Sequence, residues 1–431
     1  MESLLSETES NVWEFPFIGE KDKSITKYEY LNVFDDNHGS GNLNNAETFS
    51  FTTSNQDIWL LPSDSFLKIK VQFNKQDGTD YIWKALEEVK NDAGAITKAA
   101  VVADNVSLND NAFNIFEECR YFVDDKEIER IDYVGISTLV NNLLSYTDSL
   151  QVESIRHSQL WFLDDDSARQ SYVRDTCQGQ VHLLLPLARI FPFFDQINHV
   201  FRGVKHRITF TLNKQHNIML YTEGKVFINK MEWVIPYVEP SLAMMAKLEN
   251  QLASQNTFNF KWSAINVYKQ QPTKAKEIRI PLASTIHKPE KVIVGIQKAV
   301  RTTDVSARSM MFDKYDVESC SVEINSIKYP DRVYTNDFPG GDCHELYNQF
   351  LGMCNGNKGI SFVLFYERYR MYPIDVSKHK PELYENTSFP NICVNIKFQT
   401  IPADDYIVWI IVYNEREATL NLEEKKMRVI R

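Results

Sequence analysis

Gln180-Val-His-Leu-Leu-Leu-Pro-Leu-Ala-Arg-Ile-Phe-Pro-Phe-Phe194 opens a stretch, ending at Pro236, whose three runs decide the fold. Val181 to Leu187 is apolar at nearly every position, which predicts a strand covered on both faces. After the Phe191-Pro-Phe-Phe194 turn the period changes: Ile208, Phe210 and Leu212 alternate with Thr209, Thr211 and Asn213, the pattern of a half-buried strand. Met231, Trp233 and Ile235 then alternate with Lys230, Glu232 and Val234, and Pro236 ends the run because it has no N–H for a ladder. Trp233 and its later counterpart Trp409 are expected in the cores of the two halves. None of these residues suggests catalysis.

The rest of the composition agrees with sheet. The chain has 431 residues, more than one hydrophobic core usually serves, so two domains are expected. Aromatics reach 12%, with 26 Phe and 20 Tyr, which favours strands and argues against disorder. The net charge of -11 is concentrated early: Met1 to Ser50 holds ten acids and three bases, so the chain at large does not suit nucleic acid. Only Lys425-Lys-Met-Arg-Val-Ile-Arg431 is locally basic, and it reads as a solvated end. The six cysteines form no CxxC pair, consistent with reduced thiols inside a cell. Residues 1–10 lack the pattern of a signal peptide, and no apolar run approaches the length of a membrane span, so neither secretion nor membrane crossing is expected.

In chain order, residues 1–48 read as an extended N-terminal arm, and a first domain follows over 49–240. Within it Leu67, Ile69, Val71 and Phe73 alternate as a strand, and residues 76–111 form a projecting loop. Cys119 to Ile131 is a hairpin turning at Asp124-Asp125, followed by a helix with Ile136, Leu139, Val140, Leu143 and Leu144 on one face. Residues 150–178 are polar, with Asp164-Asp-Asp166 read as a solvated loop rather than a cation site. Ser241 caps a helical linker over 241–254, with Leu242, Met245, Leu248 and Leu252 near one face. The second domain occupies 255–415, with a C-terminal tail over 416–431.

The second half repeats the first in its order of elements. Cys320 matches Cys119, Ile324 matches Val123, and Asn325 matches Asp124; a helix follows each, the second capped by Asp342 and burying Leu346, Tyr347, Phe350 and Leu351. Ile392 to Phe398 then takes the place of Ile208 to Leu212, and Tyr406 to Tyr413 that of Val226 to Tyr237. Many short strands with a helix before the last ones predict an all-β chain with a few short helices, arranged as two tandem jelly-roll β-sandwich domains. Immunoglobulin-like sandwiches are smaller and lack that helix.

Phe66-Leu-Lys-Ile-Lys-Val71 with Asp77-Gly-Thr79, Asn111-Ala-Phe-Asn-Ile-Phe116, Phe122-Val-Asp-Asp125, Leu143-Leu-Ser-Tyr146 and Val204-Lys-His-Arg-Ile208 carry a resemblance. They resemble the major capsid proteins of Polinton (Maverick) elements and adintovirus-like viruses, similar in fold to other double jelly-roll capsid proteins. That resemblance implies a homotrimeric, pseudo-hexagonal capsomer in an icosahedral shell around double-stranded DNA, made in the cytoplasm or nucleus of a host cell. It implies as partners further copies of the chain and a penton or minor capsid protein, with the C-terminal tail touching membrane or genome.

No catalytic, cofactor-binding or metal-ligating residue is assigned, and no small-molecule substrate is expected. The nine histidines make no local signature with serine and acid, and Cys343-His344 with Cys354 lacks a fourth zinc ligand. Gly352-Met-Cys-Asn-Gly-Asn-Lys-Gly359 fails the P-loop pattern. The rival reading is a cellular jelly-roll module binding carbohydrate or protein, with Trp161 and Phe162 as its stacking platform.

Overall fold

A computed structural model describes residues 24–37, 43, 46–53, 57–90, 96–145, 157–162, 166–213, 219–220, 223–254, 257–282, 286–332, 340–354, 359–377, 390–421 and 426–429. Among the described residues eight strands, with the two-residue strand Trp59–Leu60 added beside the last of them, build a first sandwich: β1 (Ile25–Phe34), β2 (Thr48–Thr52), β3 (Phe66–Lys75), β4 (Phe116–Val123), β5 (Lys126–Asp132), β6 (Gln180–Pro186), β7 (His206–Leu212) and β8 (Gly224–Pro240). They pair in the orders β1-β8-β3-β6 and β2-β7-β4-β5. Eight more build a second: β9 (Thr257–Lys269), β10 (Glu277–Pro281), β11 (Pro289–Lys298), β12 (Val317–Ile324), β13 (Ile327–Tyr329), β14 (Met371–Asp375), β15 (Ile392–Phe398) and β16 (Tyr406–Asn421). Their orders are β9-β16-β11-β14 and β10-β15-β12-β13, so adding eight to each strand number converts one sandwich into the other. This is the all-β double jelly roll expected from the sequence.

The match extends to single residues. Asp124 and Asp125 sit at φ 46° and 64°, Asn325 and Ser326 at 48° and 70°, the paired left-handed conformations of a tight hairpin turn that Asp and Asn tolerate. Asp124 then accepts the Lys205 N–H at 2.7 Å, and Asn325 accepts the Asn391 N–H at 3.0 Å, so each turn is pinned to the start of the neighbouring strand in the same way.

Each sandwich is filled by alternate residues of its facing strands. In the first, Leu67, Ile69 and Val71 of β3, Trp233 and Ile235 of β8, and Ile208 and Phe210 of β7 are all buried. Helix α1 (Val134–Leu144) buries Ile136, Leu139, Val140, Leu143 and Leu144 as its spacing predicts, and also Ser137, Thr138 and Asn142 on its other side. Helix α2 (Pro192–Gln196) starts at the turn proline, where a missing N–H costs nothing. Helix α3 (Leu242–Ser254) links the sandwiches, with Ser241 Oγ accepting the Met244 N–H at 3.3 Å, although Leu242 is 86% exposed.

Four expectations need correction. Val181, Leu183 and Leu185 are buried, but Leu184 is 41% exposed: with His182 and its cross-strand neighbour Lys68 it lies on the outer face of the sheet, which meets solvent there. Residues 25–34, expected in an extended arm, form β1 and pair with β8 from Ile25↔Pro240 to Phe34↔Glu232. Residues 416–421, expected in a tail, continue β16, and Lys426–Val429 adds strand β17 beside it, because alternation in the ladder outlasts the basic composition. Helix α4 (His344–Met353) has Cys343, not Asp342, at its N-cap and no side-chain cap bond; Leu346 and Phe350 are buried, Tyr347 and Leu351 half-buried.

Trp233 is fully buried between the sheets of the first sandwich. Its replacement by alanine should cost about 3–5 kcal/mol, read as a lower midpoint in chemical denaturation; an unchanged midpoint would contradict this packing.

Candidate functional site

Two buried patches bring sheets of different sandwiches together. Glu129 of β5 is fully buried: its Oε2 accepts the Phe193 N–H of α2 at 3.1 Å, and its Oε1 accepts the Trp262 indole N–H of β9 at 3.2 Å. Trp262 meets the Phe193 ring edge to face at 5.1 Å, and Arg416 of β16 donates to the Ile128 carbonyl at 3.2 Å. Gln196 and Ser263 close the rim with reciprocal bonds of 3.1 and 2.8 Å. Burial pushes the Glu129 carboxyl up to about 7 against the pull of Arg416 and its two donors.

A second patch lies where the chain enters β4. Asn109 accepts the Ser309 N–H at 3.1 Å and donates to the Ala307 carbonyl at 3.1 Å, while Asp110 Oδ2 accepts the Met310 N–H at 2.9 Å and the Ser309 hydroxyl at 3.2 Å. Arg169 donates to the Asp110 carbonyl. Burial raises the Asp110 carboxyl, with Arg169 and Arg308 pulling it back. Nearby, Trp409 meets Tyr133 edge to face at 5.1 Å and donates to Gln297 at 2.7 Å, and the Lys269 ammonium lies over both rings. Trp409 is thus buried, but on the face of the second sandwich turned toward the first. A pocket of about 30 Å³ among Asn114, Glu117, Tyr133, Asn213, Met310 and Trp409 has room for a water or two, far below a ligand cavity of roughly 300 Å³.

The residues singled out from sequence for chemistry are not brought together. Trp161 and Phe162 are buried, which removes them as a surface platform. Asp164 and Asp165 lie outside the described residues, and Asp166 opens a short helix, Asp166–Ser171. Cys343 and Cys354 are buried thiols that desolvation pushes up to about 11, and His344 stacks on Phe362 at 4.7 Å. Among the described residues no three His, Cys, Asp or Glu side chains gather as metal ligands, and no helix is long and apolar enough to cross a membrane.

Open surface is where the remaining information lies. On β1, Tyr28, Tyr30 and Phe34 all point outward and are exposed, Tyr30 to 55%, with its ring 5.9 Å from Phe66 of β3. The segment expected to project, residues 76–111, divides: Ile82, Leu86, Ile96 and Val102 are exposed, whereas 106–111 are buried, with Ser107 and Leu108 paired to Leu220 and Met219 and Asn109 and Asp110 bonded to the second sandwich. Sequence reading missed Glu129, Asp110, Trp262 and Arg416, whose roles depend on contacts across the two halves.

Residues 106–415 match the family described as the double jelly roll-like domain. Among solved structures, the chain is similar to VP54 of PBCV-1 as fitted into a cryo-EM reconstruction of the virophage Sputnik, with TM-score 0.57, 9% identity, and coverage of 96% of this chain and 99% of that one. The Faustovirus major capsid protein gives TM-score 0.55 at 9% identity over 95% and 93% of the two chains. The mavirus major capsid protein gives 0.52 at 10% identity over 97% and 92%. No curated protein matches the chain in sequence.

The Glu129 seam predicts a pH effect with a definite sign. Its folded value, about 7, exceeds the ordinary 4.5, so the stabilisation carried by the protonated form is complete below about 4.5 and is lost as pH rises through about 7. That displacement is worth about 3 kcal/mol. Buried His206, pushed down to about 3 from 6.5, works oppositely, contributing above 6.5 and failing as pH falls. The quantity to measure is therefore the difference in unfolding free energy between wild type and Glu129→Gln. The variant should gain on wild type by about 3 kcal/mol between pH 4.5 and 8; a difference independent of pH would refute the assignment.

Proposed function

Because the chain belongs to the double jelly roll-like domain family, we propose that it is a major capsid protein, a structural shell subunit rather than an enzyme. One observation carries this reading: two sandwiches of identical strand order are locked into one block by a buried seam. Two equivalent units per chain give six-fold packing from three-fold symmetry, and closed rings of identical chains are the ordinary solution for assemblies. The capsomer is then a homotrimer of pseudo-hexagonal outline, set in an icosahedral shell around a double-stranded DNA genome, with the virion as its location. The short strings around Phe66, Asn111, Phe122 and Val204 support a lineage among Polinton or Maverick elements and adintovirus-like viruses.

The domain division proposed is that of the sequence, with β1 joined to the first sandwich and β16 to its end and β17 joined to the second. Partners are other copies of the chain, neighbouring capsomers, and a penton or minor capsid protein, with the C-terminal residues near membrane or genome. Burial of Trp161 and Phe162 counts against the binding-module alternative.

Analytical ultracentrifugation of the purified chain at micromolar concentration tests the proposal. A trimer is expected, burying more than roughly 2,000 Å² in its interfaces, with shell fragments visible by electron microscopy at higher concentration. A monomer that binds a sugar or peptide would overturn it.

A further inference from the structure

The strand-by-strand correspondence of the two sandwiches extends to their sheet edges, and one equivalent pair of edges differs in what occupies it. In the first sandwich the Leu212 N–H donates to the Glu47 carbonyl and the Thr53 N–H to the His206 carbonyl, both at 2.9 Å. The alternate residues Thr48, Ser50 and Thr52 of β2 therefore turn their backbone groups away from β7. In the second sandwich the Phe398 N–H donates to the Lys276 carbonyl at 2.9 Å and the Leu282 N–H to the Ile392 carbonyl at 2.8 Å. Glu277, Arg279 and Pro281 of β10 thus turn theirs away from β15, and Arg279 stands where Ser50 stands in the first sandwich.

Ser50 is fully engaged. Its carbonyl accepts the Asp36 N–H at 2.7 Å, and its own N–H donates to Asp35 Oδ1 at 2.8 Å. Its hydroxyl and that of Thr52 both donate to Asp36 Oδ2 at 2.7 Å. The two aspartates that follow β1 thus act as a further short strand on the β2 edge. After β9 the chain takes another course, since Thr273 pairs with Tyr406 of β16. Among the described residues nothing bonds outward to the Arg279 amide or carbonyl. The Arg279 guanidinium meets Glu323 at 3.3 Å on the open surface, a kind of contact worth little, and Lys274 and Lys276 are exposed just before it.

We propose that the β10 edge is a binding site for an extended acidic segment of another protein, added as a strand in the way that Asp35-Asp36 is added to β2. Charge and the internal precedent identify the occupant. A carboxylate at the Asp35 position accepts the Arg279 N–H, and the amide of the next residue donates to the Arg279 carbonyl. The carboxylate at the Asp36 position, which takes two hydroxyls in the first sandwich, here meets a guanidinium instead. Arginine in place of serine at one equivalent position turns an edge filled from within the chain into one that draws negative charge from outside. The site belongs to a single chain, so it does not depend on the capsomer.

The probe is a labelled, end-capped hexapeptide with the sequence of residues 32–37, Asn32-Val-Phe-Asp-Asp-Asn37. It is titrated into the full-length protein by fluorescence anisotropy, with hydrogen exchange across residues 277–282 followed by mass spectrometry. Saturable binding with slowed exchange in that segment is expected. Arg279→Pro removes an outward N–H on a strand that already carries outward Pro281, and should abolish binding with the thermal midpoint unchanged. Arg279→Glu, or asparagine in place of both aspartates of the peptide, should weaken binding about tenfold or more. Equal binding by wild type and Arg279→Pro would overturn the proposal, as would no binding at millimolar peptide. Exchange that is already slow across 277–282 before peptide is added would show the edge filled by the chain itself or by a second copy, and would overturn it as well. Should Arg279→Pro misfold, Arg279→Glu and the asparagine peptide decide the question, since undiminished binding in both would refute the site.

Discussion

The Glu129 carboxyl takes one hydrogen bond from each sandwich, from the Phe193 amide on one side and the Trp262 indole on the other, and the relative placement of the two halves depends on it. A buried acid is expensive unless every lone pair finds a donor. The aromatic rings of Phe193 and Trp262 exclude water from the site, and Arg416 brings positive charge to it. Such a group tolerates little rotation between the sandwiches, because sliding either one leaves an unsatisfied donor in an apolar setting. The Asp110 and Asn109 bonds to Ser309 and Met310 fix a second point, and two separated anchors define an orientation where one would leave a hinge.

Much of the fold is legible in the sequence because it rests on local rules. The two-residue alternation of Ile208 to Leu212 and of Ile392 to Phe398 reports a strand with one dry face, and both are strands in equivalent places. Asp124 and Asn325 are matched by residue type alone, since few side chains accept the left-handed backbone that both turns adopt. The helix after each hairpin announces itself by apolar spacing.

Where reading fails, the cause is a contact far away in sequence. Leu184 looks like core because its strand is apolar throughout, yet a chain seen alone cannot tell a face buried by itself from one left bare. The strand β1 is hidden by its surroundings: Leu31 and Val33 alternate properly, but the acids and asparagines on either side set the composition of the whole segment. Glu129 sits beside buried Ile128 in a strand whose pairing shifts register between Tyr121 and Phe122, so simple alternation assigns it to solvent. Asp110 and Arg416 acquire meaning only when both sandwiches are present together.

The pairing of β1 with β8 also sets a schedule for synthesis. Glu29 and its cross-strand partner Tyr237, 2.7 Å apart in the fold, are separated by 208 positions in the chain. At roughly 5–20 residues per second on the ribosome, β1 waits on the order of ten to forty seconds before its partner emerges. During that interval it is a free strand bearing Tyr28, Tyr30 and Phe34, the kind of segment that joins foreign sheet edges. Glu29, Asp35 and Asp36 interrupt and flank it, and such charges act as gatekeepers against that fate. Those acids thereby limit stray pairing of β1 until the last strand of its own sandwich arrives.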